Sequence, residues 1–229
     1  MPVIVKNSLL ACLALGLVLA LEHFSNLDVW LQNFFYVPDK HQWLINPQLH
    51  KALAPFFYNG PKVFYALTCV ALLVALCSSY KFTQIRPYLP NILVLFLSLI
   101  LVPTVVASAK YFTNVYCPYQ LNIYNGLFPF VRVLDSYPAD FVQIKEGRCF
   151  PAGHATVGFA FMALYYFFEK KSYRISGLIF GVVFGGIAAF YQMLRGQHFL
   201  SHSLFSLVAS FWLIMVINFL VRRFFCRKL

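Results

Sequence analysis

Six stretches of this chain are long and apolar enough to cross a bilayer, or nearly so, and no other feature limits its fold as much. They run approximately over residues 4–21, 63–80, 89–109, 153–168, 175–194 and 203–221. A transmembrane helix takes roughly 20 mostly apolar residues, with about 17–25 tolerated. Hydrophobic residues make up 61% of the 229 residues and charged residues 11%, with a mean hydropathy of +0.71. A soluble domain is about 45–50% apolar and about 25% charged, so soluble, disordered and collagenous classes are excluded. The expectation is an all-α polytopic membrane protein with about six transmembrane helices, forming one domain over 1–229. The fourth stretch is the shortest and opens on Gly153 and His154, so its end belongs in the interface. Lys6 ahead of an apolar run also fits a signal peptide, but no small-x-small cleavage site comes after Leu21, which favours an uncleaved first span.

Charge sets the orientation. With both termini cytoplasmic, the inner segments are 1–6, 81–88, 169–174 and 222–229. They hold ten of the eighteen basic residues (Lys6, Lys81, Arg86, Lys170, Lys171, Arg174, Arg222, Arg223, Arg227 and Lys228) and a single acid, Glu169. Short cationic loops resist translocation, so the net charge of +11 reads as a topology signal rather than a nucleic-acid surface. Two long segments, about 22–62 and 110–152, then lie outside, with the link 195–202. Leu27, Trp30, Leu31, Phe34 and Phe35 recur at roughly helical spacing, which predicts a helix lying in the interface. Pro38, Pro47, Pro55 and Asn59-Gly60-Pro61 are expected to interrupt regular structure between that helix and the second span.

All six histidines (His23, His41, His50, His154, His198 and His202) fall on the outer side under this topology. One ionisable residue at a span end is ordinarily a side chain snorkelling to water. Here Lys110 closes the third span, His154 opens the fourth, and His198 and His202 sit between the fifth and sixth. Four such residues facing one compartment suggest a site. Pro151-Ala152-Gly153-His154 places bare N–H groups at a helix start, which attracts anions. Lysine, arginine, amides and histidines together suit a phosphate: cations and amides neutralise its oxygens, one imidazole attacks phosphorus and another protonates the leaving oxygen.

At these residues the sequence resembles the type-2 phosphatidic acid phosphatase superfamily. That family's signature is Lys-x6-Arg-Pro, then Pro-Ser-Gly-His, then Ser-Arg-x5-His-x3-Asp. The corresponding runs here are Lys110-x6-Cys117-Pro118, Pro151-Ala152-Gly153-His154 and Tyr191-Gln192-x5-His198-x3-His202. The resemblance implies that His198 is the nucleophile that becomes phosphohistidine and His154 the general acid. It implies that Lys110 binds phosphate oxygens, that the Ala152 and Gly153 amides cradle them, and that neither metal nor organic cofactor is used. Similar Cys-Pro and Ser-His patterns, here Cys117-Pro118 and Ser201-His202, occur in bacterial lipid-phosphatase-like sequences. Membership of such a variant subfamily implies an inner-membrane enzyme with a periplasmic site.

The departures carry their own expectations. Cys117 and Gln192 stand where the family has arginines, so Arg195, one turn from Gln192, and Arg148 or Lys145 are candidate replacements. His202 replaces the aspartate that orients the nucleophile; a neutral imidazole there is expected to accept the Nδ1–H bond of His198. Cys117 and Cys149 are the two cysteines on the oxidising side and each adjoins a motif, so a disulfide between them is expected. Cys12, Cys69 and Cys77 read as small buried residues.

Rival readings remain open. His198-x3-His202 has the spacing of a zinc pair, but no neighbouring carboxylate supplies a third ligand. Gly181, Gly185 and Gly186 mark close helix packing, within the monomer or between subunits. A transporter or scaffold would bury polar residues at mid-membrane, and these spans hold almost none. Surface chemistry on a membrane lipid phosphate is favoured, as phosphatase or as phosphotransferase. By resemblance the candidate substrates are lipid A phosphates, undecaprenyl phosphate or diphosphate, and phosphatidylglycerophosphate. Lys40, Lys51, Lys62, Arg132 and Lys145 on the outer segments suit a multiply phosphorylated headgroup.

Overall fold

The computed structural model describes residues 3–225. In chain order the helices are α1 (Val3–Phe24), α2 (Leu27–Asn33), α3 (Pro47–Ala54), α4 (Gly60–Ser78), α5 (Leu89–Ala109), α6 (Gly153–Phe159), α7 (Leu164–Phe167), α8 (Lys171–Met193) and α9 (Leu200–Phe225). A two-stranded hairpin, β1 (Tyr36–Val37) and β2 (Gln42–Trp43), pairs Tyr36 with Trp43. The fold is all-α and polytopic, with five helices among the described residues long and apolar enough to cross a membrane.

The fourth expected span departs from the rest. Gly153–Phe167 is a fifteen-residue rod in which α6, a 3-10 turn over Ala160–Ala163 and α7 succeed one another without a gap. It is apolar because it is the axis of the bundle: Ala155, Phe159, Ala160, Phe161, Met162 and Ala163 are all buried. α5, α8 and α9 surround it and contribute Val94, Leu95, Leu99, Val102, Ala189, Ile214 and Ile217 to the same core. A helix buried in protein needs no bilayer-spanning length of its own. Gly158 and Gly185 meet backbone to backbone, and a Cβ on Gly181 would run into Met162. The close packing of α8 therefore lies within the monomer at Gly181 and Gly185, while Gly186 faces open space.

Outward-facing stripes on the long helices meet lipid: Leu10, Leu13 and Leu17 on α1, and Val63, Leu67, Val70 and Val74 on α4, are exposed at helical spacing. The expected break around Pro55 and Asn59-Gly60-Pro61 does not occur. Pro55–Asn59 forms one π-helical turn joining α3 to α4, so residues 47–78 run as one helical stretch. Pro47 sits in a first turn, where the missing N–H has no intrahelical bond to lose, and Pro61 follows directly on the π turn.

α2 lies where the interfacial helix was expected, with Trp30 and Phe34 exposed. Its other face is polar and buried. Gln32 Nε2 donates to the Met193 carbonyl at 2.7 Å, and Asp28 accepts from the backbone N–H of Ser201 at 2.9 Å and from its hydroxyl. α2 is thus a strap across the α8–α9 junction.

Candidate active site

That junction sets the position of His198. Helix α8 ends at Met193, and Gly196 adopts the left-handed conformation at φ 67°. Its N–H returns to Met193 and the Gln197 N–H to Gln192, as in a glycine helix stop. A Cβ on Gly196 would collide with the Trp43 ring, so the hairpin presses on this turn. The chain then drops His198 inward and starts α9 at Leu200, with the Asp28 carboxylate accepting from its first turn. A carboxylate at a helix N-terminus satisfies orphan N–H groups and opposes the helix dipole.

The first two motif segments are zipped together. The Cys149 N–H donates to the Val115 carbonyl at 2.8 Å and the Thr113 hydroxyl to that of Phe150 at 2.6 Å. Cys117 and Cys149 form a disulfide, with Cα atoms 5.0 Å apart. This holds Lys110 over the start of α6: a Cβ on Gly153 would lie 3.5 Å from Lys110 Nζ.

Three histidines come together here. The His198 ring is 6.2 Å from that of His154 and 5.8 Å from that of His202. His154 Nε2 meets the Tyr58 hydroxyl at 3.3 Å. His198 is 3% exposed, and burial pushes its pKa well below the ordinary histidine value, with the charge of Lys110 and the neighbouring imidazoles acting in the same sense. The Cys149 backbone opposes this more weakly. His198 is therefore a neutral imidazole. Its Nδ1 faces Cys149 Sγ at 3.4 Å. A disulfide sulfur carries no hydrogen and is at most a weak acceptor, so this contact favours the tautomer with a proton on Nδ1 and the Nε2 lone pair free.

Several expectations need correcting. His202 makes no hydrogen bond to His198; it is buried edge-on against Phe150 and Phe199, and its Nδ1 has no partner among the described residues. The disulfide sulfur occupies the Nδ1 side of His198 in its place. The Ala152 N–H donates to the His202 carbonyl at 3.1 Å, so it is already used, and the amides that open α6 begin at Gly153. Arg148 is exposed and lies over the Tyr111 ring at 4.5 Å. Lys145 is likewise exposed. Arg195 does reach the site: its Nη1 donates to Gln192 Oε1 at 3.0 Å, and Gln192 lines a small cavity with His154.

Two groups that the motifs left out also belong here. Tyr58 and Lys62 line the same cavity, with Lys62 Nζ 3.6 Å above the Tyr58 ring. Lys110, Lys62 and Arg195 are the cations whose charge reaches His154. Among the described residues the single approach of a basic side chain to a carboxylate within 4.0 Å is His23 to Asp135, at 3.7 Å, so none of the three has a carboxylate partner. Cys117, Cys149 and His198 offer atoms within 4.8 Å of one another, a spacing that would suit a metal. Joined as a disulfide, however, the sulfurs supply no thiolates to bind one.

Helices folded around a buried axial rod, with three histidines and three cations without carboxylate partners gathered at one end, define the class: a polytopic membrane protein. The PAP2 superfamily model matches residues 91–225, more than half of the chain and all three motifs. The chain belongs to the PAP2 superfamily, and that membership supports a phosphoric ester hydrolase. Searches of curated proteins and of solved structures return no match.

Proposed function

We propose that the chain is a metal-independent membrane phosphatase of the variant Cys-Pro and Ser-His type, acting on a lipid phosphate or diphosphate at the periplasmic face. The observation that carries this reading is the group of three cations without carboxylate partners around His154 and the buried His198, whose pKa burial depresses. Such a site lacks an anion and holds a nucleophile in its reactive form. His154 takes up a proton when the phosphate's negative charge offsets Lys110, Lys62 and Arg195; His198 Nε2 then attacks phosphorus, the bond to the leaving oxygen breaks, and His154 delivers that proton to it. Water then attacks the phosphohistidine and returns His198, with His154 accepting the water's proton. Lys110, Lys62 and Arg195 neutralise the phosphate oxygens, and the Gly153 amide adds a donor at the α6 start. The cavity beside His154 holds only about 40 Å³, roughly one water, so substrate binding has to part Tyr58 from His154. The lipid chains lie among the apolar faces of the bundle, and the whole chain acts as one domain.

The test is phosphate release by the purified protein in detergent with EDTA present. The panel is lipid A, undecaprenyl phosphate and diphosphate, phosphatidic acid and phosphatidylglycerophosphate. Release from one of these, abolished in His198→Ala and in His154→Ala while both variants stay folded, is the expected result. Undiminished release in either variant would overturn the assigned roles.

A further inference from the structure

At the far end of the bundle from the histidines lies a second polar cavity of about 550 Å³, in the size range of small-ligand sites. Helix α5 runs from Asn91 in this cavity to Ala109 beside Lys110, and α9 from His202 to Arg222; about 20 residues of helix put the two sites roughly 30 Å apart. The walls converge from four elements: Asn91, Tyr166, Arg174, Asn218 and Arg222, with Glu169 at the rim. Nothing in the proposed chemistry uses these residues.

The arginines are held in place but not neutralised. Arg222 Nη2 donates to Asn91 Oδ1 at 2.8 Å and its Nε to Asn218 Oδ1 at 3.2 Å, which fixes the guanidinium between α5 and α9. Asn91 is itself anchored through its amide nitrogen to the Phe167 carbonyl at 3.2 Å. Arg174 stacks 4.3 Å over Tyr165 and spends only Nε, on the Tyr165 carbonyl at 3.1 Å. Both Nη groups of Arg174 and Nη1 of Arg222 have no partner among the described residues, and neither arginine forms an ion pair with Glu169. Preorganised guanidinium forks with spare donors match a phosphate's geometry, and basic pockets between helices at this depth suit lipid headgroups.

We propose that this cavity is a second anion site that binds a phosphate group, supplied by an anionic phospholipid of the leaflet opposite the histidines or by free phosphate. The proposal is of binding alone; no histidine lines this cavity. The proposal is independent of the phosphatase reading, because its test measures binding and not turnover.

Native mass spectrometry of the purified full chain, in uncharged detergent, compares phosphatidylglycerol with phosphatidylethanolamine. One phosphatidylglycerol retained in preference to phosphatidylethanolamine is expected, with binding weakened about tenfold or more in Arg174→Gln/Arg222→Gln. Lys110→Met, at the other end of the bundle, should leave this binding unchanged. Glu169→Gln removes the one repelling carboxylate and should tighten binding, which decides the question if the double variant does not fold. A parallel arm titrates inorganic phosphate against thermal unfolding. Stabilisation that is lost in the arginine variant, without lipid preference, supports the site and makes free phosphate its ligand. Lipid and phosphate binding unaltered in both the arginine and the Glu169→Gln variants would overturn the proposal.

Discussion

His198 and His202 differ by one helical turn and by what faces their ring nitrogens. His198 has the disulfide sulfur on its Nδ1 side, while His202 has aromatic edges and a buried Nδ1 with no partner among the described residues. A buried, unpartnered nitrogen costs on the order of 1–3 kcal/mol, so position 202 is not optimised for stability alone. Lys110 is the cation whose charge reaches His202, so a carboxylate placed there would find a counter-charge. His202→Asp should therefore leave phosphate release unchanged or raised; complete loss would give His202 a role of its own. The burial of His198 has a consequence for pH. Its pKa is depressed in the folded state and near 6.5 in the unfolded chain. As the proposed nucleophile, His198 therefore stays unprotonated through the ordinary histidine range, and the acid limb of kcat/KM that reports it should fall below pH 6.5. A limb at or above that value would show His198 solvated and ordinary. Linkage has the same sign: below about 6.5 the unfolded chain takes up a proton that folded His198 refuses, so stability falls as pH drops.

At the scale of elements, the apolar runs placed α1, α5, α8 and α9 well, and the motif residues Lys110, His154 and His198 lie near one another in the fold. The fifteen-residue rod was legible as helix but not as an axis, because hydropathy cannot tell a lipid-facing surface from one packed on other helices. Nor could it show that Pro55 would be absorbed in a π turn. Tyr58 and Lys62 fall in no motif and reach His154 across ninety-odd residues of chain, a relation only the fold supplies. Asp28 and Gln32 were in principle visible: two polar residues four apart inside an aromatic interfacial helix must share a face. The structure turns that face onto the α8–α9 junction, and Asp28 meets the first turn of α9, three residues past His198. Removing this cap costs about 0.5–2 kcal/mol in comparable helices. Asp28→Ala should lower the melting temperature and kcat together, whereas Asp28→Asn, which still accepts from Ser201, should recover most of both. Equal damage from the two variants would mean that the charge rather than the acceptor matters. No damage from either would show that α9 starts without help.

At the scale of the whole molecule, the helical bundle and the outer loops meet at the Cys117–Cys149 bond. The loop between α5 and α6 has little regular structure, and its own small core of Tyr116, Leu121, Tyr124 and Phe199 leans on the hairpin and on the chain beside His198. Packing of α5 on α6 brings Lys110 and Gly153 to the same end of the bundle, the disulfide ties down the irregular chain between them, and the proposed site needs both within a few ångströms of one phosphate. The disulfide closes 32 residues of sequence into a loop. On the chain-entropy account that restrains the unfolded state by about 3–4 kcal/mol. At the position of the first-motif arginine this chain has a crosslink that ties down the backbone following Lys110 and also favours one tautomer of His198, the proposed nucleophile. Two effects are thus expected from Cys117→Ser/Cys149→Ser: a lower unfolding temperature in detergent, and a fall in kcat larger than any rise in KM, since the serine hydroxyl no longer presents a hydrogen-free atom to His198 Nδ1. Treatment of the native protein with a reductant should reproduce both, and non-reducing peptide mapping should recover the two cysteines linked. A variant that loses stability but keeps full kcat would confine the disulfide to holding the loop. Two free thiols in the mapped native protein would remove it from the account of the site altogether.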